Sequence, residues 1–445
     1  MQRPEAASGP GTIDKQAQGV AAAAVDLSAY VRAGDTVMWG QAAAEPLSLV
    51  AALVEQRHRF ARTRAFLGVG QSELLKPGHA DAIDFVGYCG SGNNRCLAEA
   101  GLLDILPCHY FDLPLLIRSG ALRIDVLMLQ VSPADASGRH SFGLAMEYLP
   151  AALDTARVVI GEVNDQIPFT HGERLLDASD FDLLVEASYA PGRAAAAPSA
   201  RDHAIAARVA ALVDDGATLQ VGLGAIPDFV LGALRDRRYL GLHSGAATDG
   251  VAALAEAGAL TNARKSIDVG VGVAGLLMGG PRLHRYAADG RALQLRSTEY
   301  THHPDVLGAI ERLVAINSAI EVDLTGQVNA ELAAGSYVGA VGGAGAFLRA
   351  ALYSRGGLPV VALPSTAGVH SRIVARLSGP VSTARCDAGV IVTEHGVADL
   401  RGQTLSSRLR RMLDIAAPEH RERLAREAHD ALRCAGVDWT QRLGS

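Results

Sequence analysis

Chemistry in this chain must come from a few glycine-rich or histidine-bearing stretches. The first is Gly222-Leu-Gly-Ala-Ile-Pro227. Glycines between a strand and a helix let a ligand approach the backbone, and a helix start offers N–H groups to an anion or oxyanion. On that ground Gly222, Leu223, Gly224, Ala225 and Ile226 are candidates for holding a ligand. A Gly-x-Gly also occurs at purely structural turns. It is not a dinucleotide fingerprint, because no third glycine follows at the required spacing and Pro227 removes a donor. The second stretch, Gly339-Ala-Val-Gly-Gly-Ala-Gly345, has four glycines in seven residues and cannot be an efficient helix or strand interior. Flanked by apolar segments, it reads as backbone pressed against a ligand, with Gly342 and Gly343 at its centre, against the alternative of a flexible turn. The third is His243-Ser-Gly-Ala-Ala-Thr-Asp249. Neighbours on a strand point to opposite faces, so adjacency alone does not make His243 and Ser244 a nucleophile–base pair. A structural His243 stays open. The fourth, Glu394 with His395, offers acid–base groups but reads better as a buried pair holding a strand end to the next helix.

The elements that must position these loops show an internal repeat. Gly34-Asp-Thr-Val-Met-Trp-Gly40, then Pro46 and an apolar run over 47–53, resembles Gly216-Ala-Thr-Leu-Gln-Val-Gly222, then Pro227 and an apolar run over 229–234. Each predicts a strand, a Gly/Ala-rich loop and a helix with proline at its start. Further short apolar runs at 126–131, 158–163, 183–186, 239–242, 359–363 and 389–393 predict buried strands of a mostly parallel sheet. From about 406 to 433 the pattern is charged and helical. The fold class is therefore α/β: two related open domains with mostly parallel sheets. The expected division is an N-terminal extension over 1–24, a domain over 25–189, a Pro/Ala-rich linker over 190–200 and a domain over 201–445 carrying both glycine loops and a helical C-terminus.

Composition narrows the functions. The 445 residues are 49% hydrophobic and 20% charged, enough for two large cores. A net charge of −6 provides no basic surface for nucleic acid. Five cysteines, Cys89, Cys96, Cys108, Cys386 and Cys434, fall in no metal-ligand spacing, so free thiols and no metal are expected. The N-terminus lacks the basic-then-apolar order of a signal peptide, and no apolar run approaches the ~20 residues of a membrane span. The expectation is a cytoplasmic protein without a membrane partner.

At these same loops the sequence resembles the acetyl-CoA hydrolase/transferase family. The likeness runs from about residue 25 to 430 and is carried by stretches at 129–135, 160–164, 219–227, 316–327, 370–374 and 392–402. The resemblance implies a class I CoA-transferase-like fold, coenzyme A or acyl-CoA as substrate, no metal, and a homodimer or larger homo-oligomer. In such enzymes a glutamate attacks the acyl-CoA carbonyl and is carried through an anhydride to a glutamyl-CoA thioester, while backbone N–H groups stabilise the oxyanion. By motif match those groups belong to Leu223 and Gly343, with Gly222 to Ile226 lining the CoA.

One position departs from the family. Its glutamate sits in a Gly-Ile-His-Ser-Glu-Met-like segment that here reads Gly241-Leu-His-Ser-Gly-Ala246, which puts Gly245 where the nucleophile belongs. Ala246 and Ala346 also replace larger or charged residues, and His302 stands where the family commonly has Asn. Four readings are open. Direct passage of the acyl group to an amine, alcohol or carbon nucleophile, with His243 or His302 as base, ranks first. Acyl-CoA hydrolysis is second. The others are CoA transfer by a displaced carboxylate such as Glu299, and an inactive acyl-CoA-binding protein.

Overall fold

The computed structural model describes residues 19–21, 25–191, 199–290 and 292–434. Most of the expected extension over 1–24, and positions 192–198 of the expected linker, lie outside the described residues. The chain divides into two compact units: the described residues of 1–194 together with 273–303, and those of 195–272 together with 304–445.

The first unit is built on an eight-stranded sheet of β1 (Gly19–Ala21), β2 (Thr36–Trp39), β3 (Thr63–Leu67), β4 (Ile83–Gly87), β5 (Leu103–Ile105), β6 (Val126–Val131), β7 (Val158–Asn164) and β8 (Leu183–Ala187). Their order is β1-β8-β7-β6-β2-β3-β4-β5, every pairing parallel. All six residues of β6 are buried, because a parallel sheet is covered on both faces and selects near-continuous apolar runs. Each fully buried Leu or Val there contributes ~1.5–3 kcal/mol of transfer free energy. Helix α1 (Leu47–Gln56) follows β2 and turns Leu49, Val50 and Leu53 into the same core as Val37 and Val126. The segment 273–303, expected in the C-terminal domain, instead packs with the first unit. Its backbone pairs there: Met146 N donates to Gly275 O, Leu277 N to Leu144 O, Leu295 N to His171 O and Thr298 N to Glu147 O. Sequence position could not reveal these long-range bonds.

The second unit repeats the plan. Strands β9 (Thr218–Val221), β10 (Gly241–Leu242), β11 (Leu313–Asn317), β12 (Leu358–Ala362), β13 (Val390–Thr393) and β14 (Gly396–Asp399) lie in the order β10-β9-β11-β12-β13-β14. Only the β13–β14 pairing is antiparallel. β10 is shorter than the apolar run 239–242 predicts, because Tyr239 has a φ of 59° and so leaves the extended region. Helices α2 (Ala225–Ala233) and α3 (Ala344–Tyr353) are the crossovers after β9 and before β12. The charged C-terminal stretch forms α4 (Leu405–Ile415) and α5 (Pro418–Cys434), with Leu409, Met412, Ile415 and Leu424 completing the core.

In each unit the strand order reverses once. From β2 the chain moves to β3, whereas from β6 it moves to β7, so the crevice lies at the carboxyl ends of β2 and β6. The same reversal occurs between β9 and β11. Such switch points are where open α/β sheets bind ligands. The two halves of the internal repeat, β2–α1 and β9–α2, occupy these equivalent stations.

Candidate active site

The loop 222–224 is fixed by the end of β11. Gly222 N donates to Ile316 O at 2.8 Å. The Gln220 and Asn317 amides bond each other in both directions, Asn317 Nδ2 to Gln220 Oε1 at 2.8 Å and Gln220 Nε2 to Asn317 Oδ1 at 3.2 Å. A β-carbon on Gly222 would fall 2.6 Å from Asn317 Oδ1, so close approach of the two strand ends requires glycine. Leu223 is 44% exposed, and Gly224 and Ala225 are exposed with it. Gly224 adopts φ 128°, ψ 168°, which glycine alone enters readily. It precedes α2, whose N-terminus no side chain caps. Ile226 and Pro227 are buried behind the loop.

The second glycine loop reaches the same edge, since α3 runs back against β11 and β12 with Gly343 at its N-cap. Gly339 N donates to Glu331 O, and a β-carbon on Gly339 would sit 1.9 Å from Ala330 O. Gly342 has a φ of 59°. Gly345 falls in the first turn of α3, where its low helix propensity costs least. Two uncapped helix starts therefore share the carboxyl edge of one sheet, an arrangement that favours anions and developing oxyanions.

His243 extends the edge beyond β10. Its N–H donates to Leu219 O, the ring is fully buried, and it lies 6.5 Å from the Phe347 ring. Ser244 Oγ donates to Val221 O at 3.1 Å and accepts from Val221 N and Ala246 N. That hydroxyl staples 244 to the residue preceding Gly222, which is a structural task. Gly245 follows in a half-buried bend before the strand Ala246–Thr248. The second unit thus brings together Gly222, Leu223, Gly224, Ala225, Ile226, His243, Gly245, Gly342 and Gly343. His302 belongs to the first unit, 3% exposed, with Nδ1 2.8 Å from Thr301 Oγ1 and its ring 5.2 Å from that of Tyr110.

The other acids have structural partners. Glu394 accepts from Ser365 N and Oγ, both at 2.8 Å, tying the end of β13 to the end of β12. Glu299 accepts through both oxygens from Arg118, at 3.0 Å each.

At the equivalent station of the first unit the arrangement is different. Glu162 Oε2 accepts from Ser48 N and Leu49 N at 2.9 and 3.1 Å, so the chain's own carboxylate caps α1. Sequence reasoning missed the polar hub beside it. Gln41 Nε2 donates to both oxygens of Glu147 (2.8 and 3.0 Å), and the Tyr110 hydroxyl also donates to Glu147. Gln41 Oε1 accepts from the Tyr88 hydroxyl at 2.7 Å and from Val69 N at 2.8 Å. Burial pushes the Glu147 carboxyl up to about 7, against the opposing bonds from Tyr110 and Gln41. The signal that could have found it is one acid inside the otherwise apolar run 142–153. Among the described residues no group of acids, histidines and cysteines is placed to hold a metal, and no helix is long and apolar enough to cross a membrane.

Comparison with known proteins places this geometry. Residues 18–189 match the family model of the acetyl-CoA hydrolase/transferase N-terminal domain, and 279–428 match that of its C-terminal domain. The 4-hydroxybutyrate coenzyme A transferase of Clostridium kluyveri is 37% identical over 404 residues, covering 88% of this chain and 93% of that protein. RipA from Yersinia pestis superposes with a TM-score of 0.86 at 31% identity, over 91% of this chain and 96% of that one. The 4-hydroxybutyrate CoA-transferase of Porphyromonas gingivalis does so with a TM-score of 0.75 at 32% identity and the same coverages.

Proposed function

The chain belongs to the acetyl-CoA hydrolase/transferase family, and from that premise we propose that it passes an acyl group from coenzyme A directly to a non-protein acceptor, without a glutamyl-CoA intermediate. The observation that carries this reading is Gly245. It stands in the bend that Ser244 staples to Val221, beside the exposed glycine loop, and has no side chain with which to form an anhydride or thioester.

In this reading Gly222, Leu223, Gly224, Ala225 and Ile226, with Gly342 and Gly343, line the CoA. The N–H groups of Leu223 and Gly343 hold the oxyanion as the acceptor attacks the thioester carbonyl. The bond from acceptor to acyl carbon forms, the C–S bond breaks, and the acceptor's proton passes through a base, His243, to the CoA thiolate. A thioester is already an activated donor, so positioning, an oxyanion site and one base suffice. Transfer through Glu299 is disfavoured because both its oxygens are held by Arg118. Hydrolysis is the second reading: water in the place of the acceptor needs no other change of the site. The family resemblance supports a homodimeric or larger assembly.

The test is incubation with an acyl-CoA followed by borohydride reduction or intact-mass measurement. No glutamyl-CoA adduct is expected, and finding one overturns direct transfer. Thiol release that needs no added acceptor favours hydrolysis. CoA binding without turnover across many acyl chains and acceptors favours an inactive binding protein.

A further inference from the structure

The second glycine loop rests on a polar network that neither its motif nor the chemistry proposed above uses. Within the second unit the strand Glu321–Asp323 pairs antiparallel with Val328–Asn329, which sets Glu321 opposite Asn329. Asn329 is fully buried and satisfied at both ends of its amide. Nδ2 donates to Glu321 Oε1 at 3.0 Å and to Leu332 O at 2.8 Å, while Oδ1 accepts from Glu331 N at 2.9 Å and Leu332 N at 3.0 Å. The chain then turns through a hairpin, Leu332–Ala333 against Ser336–Tyr337, and returns along the backbone it has just left. Glu331 O accepts from Val338 N and Gly339 N at 2.9 and 3.0 Å, and Ala330 O accepts from Ala340 N at 3.1 Å. Only 341 and 342 then separate this anchored strip from Gly343. Ser382 grips the strip from a segment distant in sequence. That segment is fixed by Ser382 N and Thr383 N, which donate to Val328 O at 2.8 and 3.2 Å. The Ser382 hydroxyl accepts from Ala330 N at 2.9 Å and donates to Glu331 Oε1 at 2.7 Å. One side chain therefore holds both residues whose carbonyls carry 338–340.

We propose that Ser382 is a positioning residue: by fixing Ala330 and Glu331 it sets the path of 338–340, and with it the direction in which the Gly343 N–H meets the thioester oxygen. This rests on the reading above, in which Gly343 supplies half of the oxyanion site, and adds to it a residue that acts on the carbonyl only through others. Stability alone would not select this network. Glu321 and Glu331 are 8% and 3% exposed, and the bonds they accept come from amides and hydroxyls. Taking two acids out of water costs free energy that an apolar base for the hairpin would not. A satisfied polar network instead specifies a single arrangement. An oxyanion donor needs that, because it works only when aimed to within a few tenths of an ångström.

The probe is the ketone analogue of acetyl-CoA in which a methylene replaces the thioester sulfur, carrying an isotope-labelled carbonyl. Neither acyl transfer nor hydrolysis consumes it. Infrared difference spectra of the full-length protein read its carbonyl stretch, and calorimetry reads its affinity. In wild type the stretch falls below that of the free analogue, because both oxyanion donors polarise the carbonyl. Ser382→Ala loses about half of that shift, one of the two donors being misaimed, while affinity stays within about threefold of wild type. Ser382→Thr keeps the hydroxyl and shows the wild-type shift. If Ser382→Ala does not fold, Ser382→Cys, whose thiol is a weak donor and acceptor, is read by the same criteria. An unchanged shift in Ser382→Ala, no recovery in Ser382→Thr, or a shift and an affinity lost together each overturns the proposal, and the first of these leaves the oxyanion assignment standing. A wild type that does not bind the analogue, or binds it without a shift, overturns the oxyanion assignment and the proposal together.

Discussion

Gly245→Glu places a carboxylate at the bend beside the glycine loop and is expected to create CoA exchange dependent on an added carboxylic acid, with a trapped glutamyl-CoA mass. A folded variant that neither exchanges nor traps CoA would remove the support for reading 245 as the nucleophile position. Glu147 allows a second test at this scale, on stability. Its carboxyl rises from 4.5 to about 7 on folding, so the folded state holds the proton more tightly than the unfolded state. The contribution from this group is whole below about pH 4.5 and is lost as pH climbs through about 7. At about 1.4 kcal/mol per tenfold in proton affinity, the loss is about 3 kcal/mol. Glu147→Gln cannot titrate, so relative to wild type it should gain stability between about pH 5 and about pH 8 in urea denaturation. A constant difference across that range would show that Glu147 is not the titrating group.

At the scale of elements, the β9–α2 turn depends on two glycines for different reasons. Gly222→Ala places a methyl 2.6 Å from Asn317 Oδ1 and 3.3 Å from Asn317 Cα, forcing the ends of β9 and β11 apart. Overpacking of this kind costs about 1–3 kcal/mol. Trimming the partner with Asn317→Ala should recover part of it. Gly224→Ala meets nothing nearer than 3.9 Å, so its cost of about 1–3 kcal/mol comes from the φ of 128° and no neighbour's truncation relieves it. Denaturant midpoints of the singles and the 222/317 double mutant separate the two cases. Rescue of Gly224→Ala, or none for Gly222→Ala, would contradict them. The strands β6, β7, β8, β12 and β13 were legible because a sheet buried on both faces writes its strands as short apolar runs. The placement of 273–303 was not, because it rests on backbone bonds to residues 144–147 and 171, which leave no local pattern. The Glu147 hub was hidden for the same reason. Gln41, Tyr88, Tyr110 and Glu147 come from four separate connections, and only the fold assembles them.

At the scale of the molecule, one strand–loop–helix unit is used twice with opposite outcomes. In the first unit the start of α1 is satisfied by Glu162, and Tyr189 adds a bond to the same carboxyl, so no external anion can reach those amides. In the second unit the start of α2 has no side-chain cap, and Leu223 to Ala225 face solvent. A repeated unit whose helix dipole is neutralised in one copy and open in the other is expected to take an anionic or thioester ligand in the open copy alone. Hydrogen exchange with and without CoA reads this directly. Amides at 222–226 and 342–344 should become protected when CoA is added, while those at 47–49 keep the rate they have in the free protein. Protection appearing at 47–49 and not at 222–226 would reverse the assignment of the two stations. Glu162→Gln completes the comparison: it keeps an acceptor for Ser48 N and Leu49 N but removes the negative charge, and it should leave the CoA protection at 222–226 unchanged.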